Sequence, residues 1–462
     1  MNRYALISKG RTVSDLESLA RQYGGKEVKY APLLGQVFCT LDPAAAQKLA
    51  ESPGLVVKLI KGVSTKYTDA LQISAPEKLM PGQEAIGEVQ STYGALVGST
   101  APYWYQVCTA FDPPINGYGG TCAILDSGIR KTHRGLKGKV LYEKNFSDSP
   151  TVDDVFDHGT GVAYALSGGQ VAEYQDQGIS PGVYLMNIKV LDDNGEGSEE
   201  NVILGLNEVV RLVDQAYEEN KDRQLAEIWT NPETITAVNL SFGAPDDGDP
   251  DDPLRVACRA VIASHEKWAG WRMPIVAAAG NGGPGAETIV CPACDPEVWA
   301  VGAVDVSPFG ISQYSSRGPT KEGYVKPDIV FYGTNVNLAS SHSDDSYVVK
   351  SGTSFAAPFA VGAGFDLWEI MRRDDPAAGA SLSMEEFLQV ISSVAVKPEG
   401  IPAGKDNTYG YGLPSGGKLA QLYGAGGVPA LITSEITGMV IPIMSLGMVG
   451  MMMAGMSKSF TR

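Results

Sequence analysis

Three side chains in the middle of the chain are of the types that together perform nucleophilic catalysis. Asp126 ends the apolar run 122–125, His158 lies in a glycine-rich turn, and Ser354 opens a segment of small residues. A serine hydroxyl is a weak nucleophile at neutral pH, so it needs a base beside it, and the base needs an acceptor that orients it. One Asp, one His and one Ser meet that requirement, and we expect them to converge.

Each of the three residues alone has a simpler explanation. An Asp at a strand end is usually a turn former or a helix cap, and a Ser before an Ala-rich segment is usually an N-cap. A single His in a Gly-rich turn is more often structural than catalytic. The combination is what favours chemistry.

The elements that must position these residues are short apolar runs bounded by Gly, Pro, Asp or Asn. Four such runs are predicted as central strands: residues 121–125, 183–190, 237–240 and 274–279. They alternate with helical stretches, which predicts an α/β fold with a doubly wound, mostly parallel sheet covered by helices on both faces. Polar groups at the carboxyl ends of such strands meet at one edge of the sheet.

The chain divides into four predicted regions. Residues 1–62 have the order strand, helix, strands, helix, strand, which indicates a small ferredoxin-like α+β domain. Residues 63–100 are rich in Pro, Gly, Ser and Thr and are predicted to be a linker that holds a processing site. Residues 101–426 form the predicted catalytic domain, and residues 427–462 form an apolar tail rich in Met and Gly.

Several segments resemble the signature segments of the subtilase family of serine peptidases. Residues 124–129 (ILDSGI), 158–160 (HGT) and 352–358 (GTSFAAP) resemble its Asp, His and Ser segments. Their order along the chain is that of subtilisin. Residues 239–243 (NLSFG) resemble the substrate-binding strand, and residues 278–282 (AAGNG) resemble the oxyanion-hole segment. The resemblance spans residues 101–420 and implies a subtilisin-like fold and a serine endopeptidase.

The resemblance also implies a role for each residue. Ser354 would attack the peptide carbonyl, His158 would carry its proton, and Asp126 would orient the imidazole. The Asn281 amide and the Ser354 N–H would bind the oxyanion. A substrate peptide would pair as an added strand with Ser241, Phe242 and Gly243. Two histidines that the family often has are replaced here by Gly161 and Phe359, but neither position performs the chemistry.

The N-terminal region resembles the family's inhibitor-type propeptide. It would act as an intramolecular inhibitor of the protease until it is cleaved, so the protein would be made as a zymogen. A permanent accessory domain is the alternative.

An acidic loop follows the predicted substrate strand. Residues 244–253 carry five carboxylates, among them Asp246 and Asp252, and Asp295 follows Cys294. These features resemble the kexin-like branch of the family, which cleaves after basic residues. A solvated acidic loop or a Ca²⁺ site explains them more simply, so a preference for basic substrates is a hypothesis.

Two other functions are compatible with the same motifs. An acyl-enzyme that is resolved by an amine would make the protein a transpeptidase or macrocyclase, but we find no insertion that would shield it from water. A module that only binds peptides would be expected to have a degenerate triad, whereas all three positions and Asn281 are intact.

Composition excludes some partners and leaves others open. A formal net charge of −17 argues against binding of nucleic acid. The chemistry needs no cofactor; a structural Ca²⁺ is expected from the resemblance and the acidic balance, with no ligand set assigned. Cys291 and Cys294 form a C-x-x-C pair without a second pair, so two thiols or one local disulfide is favoured over zinc.

The C-terminal region has no charged residue from position 436 to position 457. About 20 apolar residues are enough to cross a bilayer, so a membrane anchor is favoured over a tail packed on protein. Lys458 and Arg462 follow this stretch and would place the catalytic domain outside the cytoplasm. No signal peptide is evident at the N-terminus, so a tail-anchored protease that faces the cytoplasm is the alternative.

Overall fold

The structure is a computed structural model of the 462-residue chain. It describes residues 1–8, 10–69, 104, 108, 111, 113–169, 178–224, 227–228, 230–269, 272–306, 309–374 and 390–423. Most of the predicted linker and the entire predicted apolar tail therefore lie outside the described residues. No described helix is both long enough and apolar enough to cross a membrane.

The N-terminal unit is a four-stranded antiparallel sheet with two helices. Its elements are β1 (Asn2–Ser8), α1 (Val13–Gln22), β2 (Lys26–Ala31), β3 (Gln36–Leu41), α2 (Pro43–Ala50) and β4 (Leu55–Leu59). The strand order β2-β3-β1-β4 is the ferredoxin-like arrangement that the sequence predicts. Asp42 caps α2 through the Ala44 N–H and Pro43 opens it, because a proline loses no hydrogen bond there.

The unit has its own hydrophobic core. One face of the sheet packs against the two helices, and the buried side chains there include Leu6, Leu16, Val37 and Leu49. Thr12 and Asp15 form a capping box that fixes the start of α1.

The larger part of the chain is built around an eight-stranded sheet. Its strands are β6 (Thr121–Asp126), β7 (Val140–Asn145), β8 (Tyr184–Lys189), β10 (Ala237–Leu240), β12 (Ile275–Ala278), β14 (Trp299–Val306), β15 (Phe309–Ile311) and β16 (Ile329–Tyr332). They follow the order β15-β14-β12-β10-β6-β8-β7, and β16 also pairs with β14. Only β15 pairs antiparallel, so the predicted mostly parallel sheet is confirmed.

Helices and short β pairs surround this sheet. The helices are α3 (Gly159–Ser167), α4 (Glu199–Glu219), α5 (Pro253–Ser264), α6 (Glu266–Ala269), α7 (Thr353–Asp374) and α8 (Gly416–Tyr423). The short strands are β5 (Gly62–Ser64), β9 (Glu196–Ser198), β11 (Ala244–Pro245), β13 (Val290–Cys291), β17 (Val336–Ala339), β18 (Tyr347–Lys350), β19 (Ala395–Val396) and β20 (Leu413–Pro414). α7 packs with α3 over the sheet, and α4 packs with α5.

Candidate active site

Asp126 and His158 are brought together by the end of a buried strand and the start of a helix. Asp126 is the last residue of β6, and His158 is the N-cap of α3. The Nδ1 atom of His158 lies 2.7 Å from Oδ1 of Asp126, and both side chains are buried. A carboxylate in this position orients an imidazole and stabilises its cation.

A second layer of hydrogen bonds holds this pair in place. Ser127 donates from its hydroxyl to Oδ1 of Asp154 and accepts the N–H of Gly159. Asp154 also accepts the backbone N–H groups of Asp157 and Thr160, so it caps the start of α3. A carboxylate there complements the positive end of the helix dipole. The motif analysis did not single out Asp154, although an acidic residue shortly before a helix is a recognisable capping signal.

Lys189 is a buried cation beneath the same turn. It is the last residue of β8, and its Nζ atom donates to the carbonyls of Ser127 and Asp153 and to Oδ1 of Asp193. These three acceptors pair the ammonium group, which would otherwise be costly to bury. The sequence analysis missed Lys189, because it lies inside a strand that reads only as apolar.

Ser354 lies at the start of α7 on the opposite side of the cleft. Its hydroxyl donates to the carbonyl of Ser241 at 3.1 Å, and the Ser241 hydroxyl donates to the carbonyl of Ser354 at 2.7 Å. Ser354 is buried, as is the following residue Phe355, whose ring lies 5.5 Å from the ring of His158. The start of α7 therefore lies next to the end of β10, through Ser241, and next to the ring of His158, through Phe355.

Asn281 follows β12 with its amide group fixed in direction. Its Oδ1 atom accepts the backbone N–H and the hydroxyl of Thr353, at 3.1 and 2.9 Å. Its Nδ2 atom is buried and has no hydrogen-bond partner among the residues that the structure describes. A preorganised N–H donor that has no protein partner is suited to an oxygen that becomes negative during a reaction.

The cleft already holds a piece of the chain. β5 pairs antiparallel with β9 on one side, and Ser64 exchanges two backbone hydrogen bonds with Gly243 on the other. Phe242 points into the core and is fully buried. Residues 62–64, which the sequence analysis assigned to the end of the first domain and the start of the linker, thus form a strand between two walls of the cleft.

Burial and two carboxylates act on His158 in opposite directions. Burial disfavours the charged ring, but Asp126 and Asp69 outweigh it and raise the pKa of His158 to about 10. The Nε2 atom of His158 lies 3.0 Å from Oδ1 of Asp69. The sequence carried no signal for this contact, because Asp69 stands in a segment predicted to be a linker.

The three predicted acidic specificity residues have different surroundings. Asp246 is buried and accepts the backbone N–H groups of Gly248 and Lys321. Asp252 caps α5 and pairs with Lys61 of the N-terminal unit at 2.6 Å. Asp295 is buried between Arg255 and Arg259. Two of the three carboxylates therefore already have cationic partners within the chain.

Cys291 and Cys294 form a disulfide, one of the two arrangements that the sequence analysis favoured. It lies beside Asp246, and the Sγ atom of Cys291 is 3.8 Å from Oδ1 of that carboxylate. Among the described residues, Asp246, Cys291 and Cys294 are the group of three potential metal ligands that lie close together. Two disulfide sulfurs do not suit a hard cation such as Ca²⁺.

The region that contains these side chains is similar to known proteins. The model of the subtilase family matches residues 117–412, which is more than half of the chain. The chain belongs to the subtilase family. Asp126, His158, Asn281 and Ser354 all lie within the matched residues.

Three proteases illustrate the degree of similarity. The serine protease AprX of Bacillus subtilis (strain 168) is 31% identical over 273 residues, which cover 54% of this chain and 56% of AprX. Proteinase T of Parengyodontium album is 29% identical over 246 residues, which cover 53% of this chain and 70% of that protein. The chain matches 39% of the length of the minor extracellular protease Epr of Bacillus subtilis (strain 168).

A solved subtilase structure extends the likeness in fold. Fervidolysin from Fervidobacterium pennivorans, described as a keratinolytic enzyme related to subtilisin, matches with a TM-score of 0.63. The match covers 91% of this chain and 61% of that chain at 19% identity, so it concerns the fold alone. The predicted subtilisin-like fold is confirmed.

Proposed function

We propose that the protein is a serine endopeptidase that forms an acyl-enzyme on Ser354. The observation that carries the proposal is the buried contact of 2.7 Å between His158 and Asp126, on the same cleft as Ser354. Ser354 attacks the peptide carbonyl and its proton passes to His158, which then gives a proton to the leaving amine. Asp126 stabilises the imidazolium that forms between these two steps.

The developing oxyanion is bound by two N–H groups in this proposal. They are the Nδ2 group of Asn281 and the backbone N–H of Ser354. The substrate adds a strand against Ser241 and Gly243, where residues 62–64 now lie. Water resolves the acyl-enzyme, and the transpeptidase or macrocyclase alternative predicts cyclic or ligated products instead.

Labelling with a fluorophosphonate probe tests the activity. We expect the full-length protein, incubated until its N-terminal unit has been cleaved, to carry one phosphonyl group on Ser354. A Ser354→Ala variant of the same chain should stay unlabelled. The absence of both self-cleavage and an adduct would favour the non-catalytic peptide-binding module.

The N-terminal unit is proposed to act as the inhibitor of a zymogen. It reaches the protease through ion pairs of Arg3 with Glu200, Lys58 with Asp249 and Lys61 with Asp252. Its last residues continue directly into the cleft as β5. A unit that contributes both a docking face and a strand in the cleft blocks the site for other peptides.

A preference for basic residues is proposed to depend on Asp246, because Asp252 and Asp295 have cationic partners in the chain. Profiling of the processed protease with a peptide library checks this. We expect Lys or Arg before the cut bond in the parent, and a loss of that selectivity of about tenfold or more in Asp246→Asn, while Asp251→Asn, which removes an exposed carboxylate, keeps it. Fastest cleavage after large apolar residues would contradict the preference.

The remaining proposals come from the sequence. Residues 436–457 are proposed to anchor the protein in a membrane with the catalytic domain outside the cytoplasm, and protease protection of sealed vesicles distinguishes this from the opposite orientation. A structural Ca²⁺ is proposed from the family resemblance, and a lower melting temperature in EGTA would support it.

A further inference from the structure

The segment that enters the cleft does not continue as a strand. After β5 the chain forms a 3₁₀ turn over Thr65–Tyr67, and only then do Thr68 and Asp69 pass the catalytic residues. Ser64 pairs with Gly243, and Asp69 pairs with Gly352. The turn takes up residues that an extended peptide would place along the walls of the cleft. The Lys66 side chain lies at the rim as a result, 3.8 Å from Glu196, and is 60% exposed.

The peptide bond after Thr68 approaches the catalytic groups, but its carbonyl contacts only one of the two proposed oxyanion donors. The carbonyl of Thr68 accepts the N–H of Ser354 at 3.3 Å, but the Nδ2 group of Asn281 donates to no atom of the described part of the chain. The Thr68 hydroxyl donates to the carbonyl of Ser241, which also accepts the hydroxyl of Ser354. An oxyanion formed here would have one of the two proposed donors, so this bond is held in a non-productive position.

The Nε2 side of the catalytic histidine faces Asp69. Its Nε2 atom, which must accept the serine proton, lies 3.0 Å from Oδ1 of Asp69. On the basis of the proposed function, we propose that Asp69 is the inhibitory residue of the N-terminal segment: it occupies the Nε2 side of His158 and separates the base from the hydroxyl of Ser354. The protease is thus switched off at its base, as well as by the filling of its cleft.

The charges around His158 agree with this arrangement. Within the described ranges, Asp126 and Asp69 are the two carboxylates that face the ring, one from β6 and one from the segment, while the rings of Phe156 and Phe355 lie beside it. Burial opposes the charge, but the two carboxylates raise the pKa of His158 to about 10. The two carboxylates therefore favour the protonated ring, and an imidazolium has no lone pair to accept a proton.

The same contact makes inhibition depend on pH with a defined sign. A histidine whose pKa is raised in the closed state stabilises that state fully below its pKa in the open state. Between the pKa of the open state and about 10, the equilibrium constant for closure falls by up to tenfold per pH unit. Above about 10 the histidine no longer stabilises the closed state. Glu199 also titrates at the docking face, so the test needs a readout at the ring of His158 itself.

Titration of His158 by NMR in the full-length chain provides that readout. The chain has four histidines, and a Ser354→Ala background prevents self-cleavage. We expect Asp69→Asn to lower the titration midpoint of His158 by about 1–3 pH units, because one of two close carboxylates is removed. Glu196→Gln, which removes a carboxylate at the cleft rim that pairs with Lys66, should leave it unchanged. An equal midpoint in Asp69→Asn and in the parent would overturn the proposal.

A second measurement uses chains with Ser354 intact, at early times before processing. The fluorophosphonate probe should label full-length Asp69→Asn at pH 7 at least tenfold faster than the parent or Glu196→Gln. If the processed protein is labelled but the three full-length chains are labelled at equal rates, the proposed function stands and the inhibitory role of Asp69 is contradicted. If no form is labelled, the proposed function fails, while the NMR titration still decides whether Asp69 holds the charge of His158.

Discussion

At the scale of single residues, the site depends on side chains whose partners leave them little freedom. Asp126 accepts from Ser127 and from His158, and the amide of Asn281 is fixed by Thr353. Groups held in this way lose little entropy at the moment of reaction, which is the advantage of preorganisation. The motifs predicted which residues would be involved, but not that Asp154 and Lys189 would hold them.

Gly159 tests how closely the backbone must approach at this site. A Cβ atom there would lie 2.2 Å from the carbonyl oxygen of Gly128 and 3.0 Å from Oδ1 of Asp126. We expect Gly159→Ala to push α3 away from β6 and to lower turnover by about 100-fold or more, since small displacements of catalytic groups are costly. Gly285→Ala is the control, because its nearest atom lies 3.8 Å away.

Turnover and the melting temperature of both variants check this prediction. Gly159→Ala should lose activity while its far-UV circular dichroism stays that of a folded protein. Turnover at the parent level in Gly159→Ala would show that the start of α3 can move without harm.

At the scale of elements, the acidic residues around α4 and α5 serve the N-terminal unit. Lys61 lies 2.7 Å from Asp247 and 2.6 Å from Asp252, and its backbone N–H donates to Glu199. Burial and the nearby Asp252 raise the pKa of Glu199 to about 8. As the pH rises toward that value, Glu199 ionises more readily in the open form than in the closed form, and the closed form loses stability. The ammonium of Lys61, which offsets the charge of the buried carboxylate, therefore matters most above about pH 8.

Removal of that ammonium should loosen the docked unit. In Lys61→Met, Asp252 stays buried beside Glu199 without its cation. Removal of one partner of a buried charge pair lowers the free energy of association by about 2 kcal/mol or more. We expect the open fraction of the full-length chain to rise by about 30-fold, read as faster probe labelling of Ser354 before processing. Lys48→Met, in an exposed position on α2, is the matched control. Equal labelling rates in the two variants would show that the docking does not depend on this charge.

At the scale of the whole molecule, charge is divided unequally between the two parts. Residues 1–62 contain nine Lys or Arg and five Asp or Glu, for a net charge of +4, and residues 63–462 carry −21. Opposite net charges bring the two parts together and orient them before close contacts form. The overall value of −17 conceals this difference, and three carboxylates of the acidic loop, Asp247, Asp249 and Asp252, pair with Lys58 and Lys61 of the N-terminal unit.

The sequence by itself determined the family, the catalytic residues proposed here and the main elements. The observed β6, β8, β10 and β12 agree with the predicted runs within one or two residues, because buried parallel strands leave a local apolar pattern between turn residues. The strand order of the N-terminal unit also followed from a local pattern. Such features depend on neighbours along the chain, and the sequence displays them directly.

Only the tertiary structure decided which charged groups meet. Asp69 and His158 are 89 positions apart in sequence, and Lys61 is 191 positions from Asp252. A carboxylate in a linker and one in an acidic loop look alike in a sequence, since the energy of an ion pair depends on distance and burial after folding. The proposed triad could therefore be named from its motifs, whereas the residue that faces His158 could not.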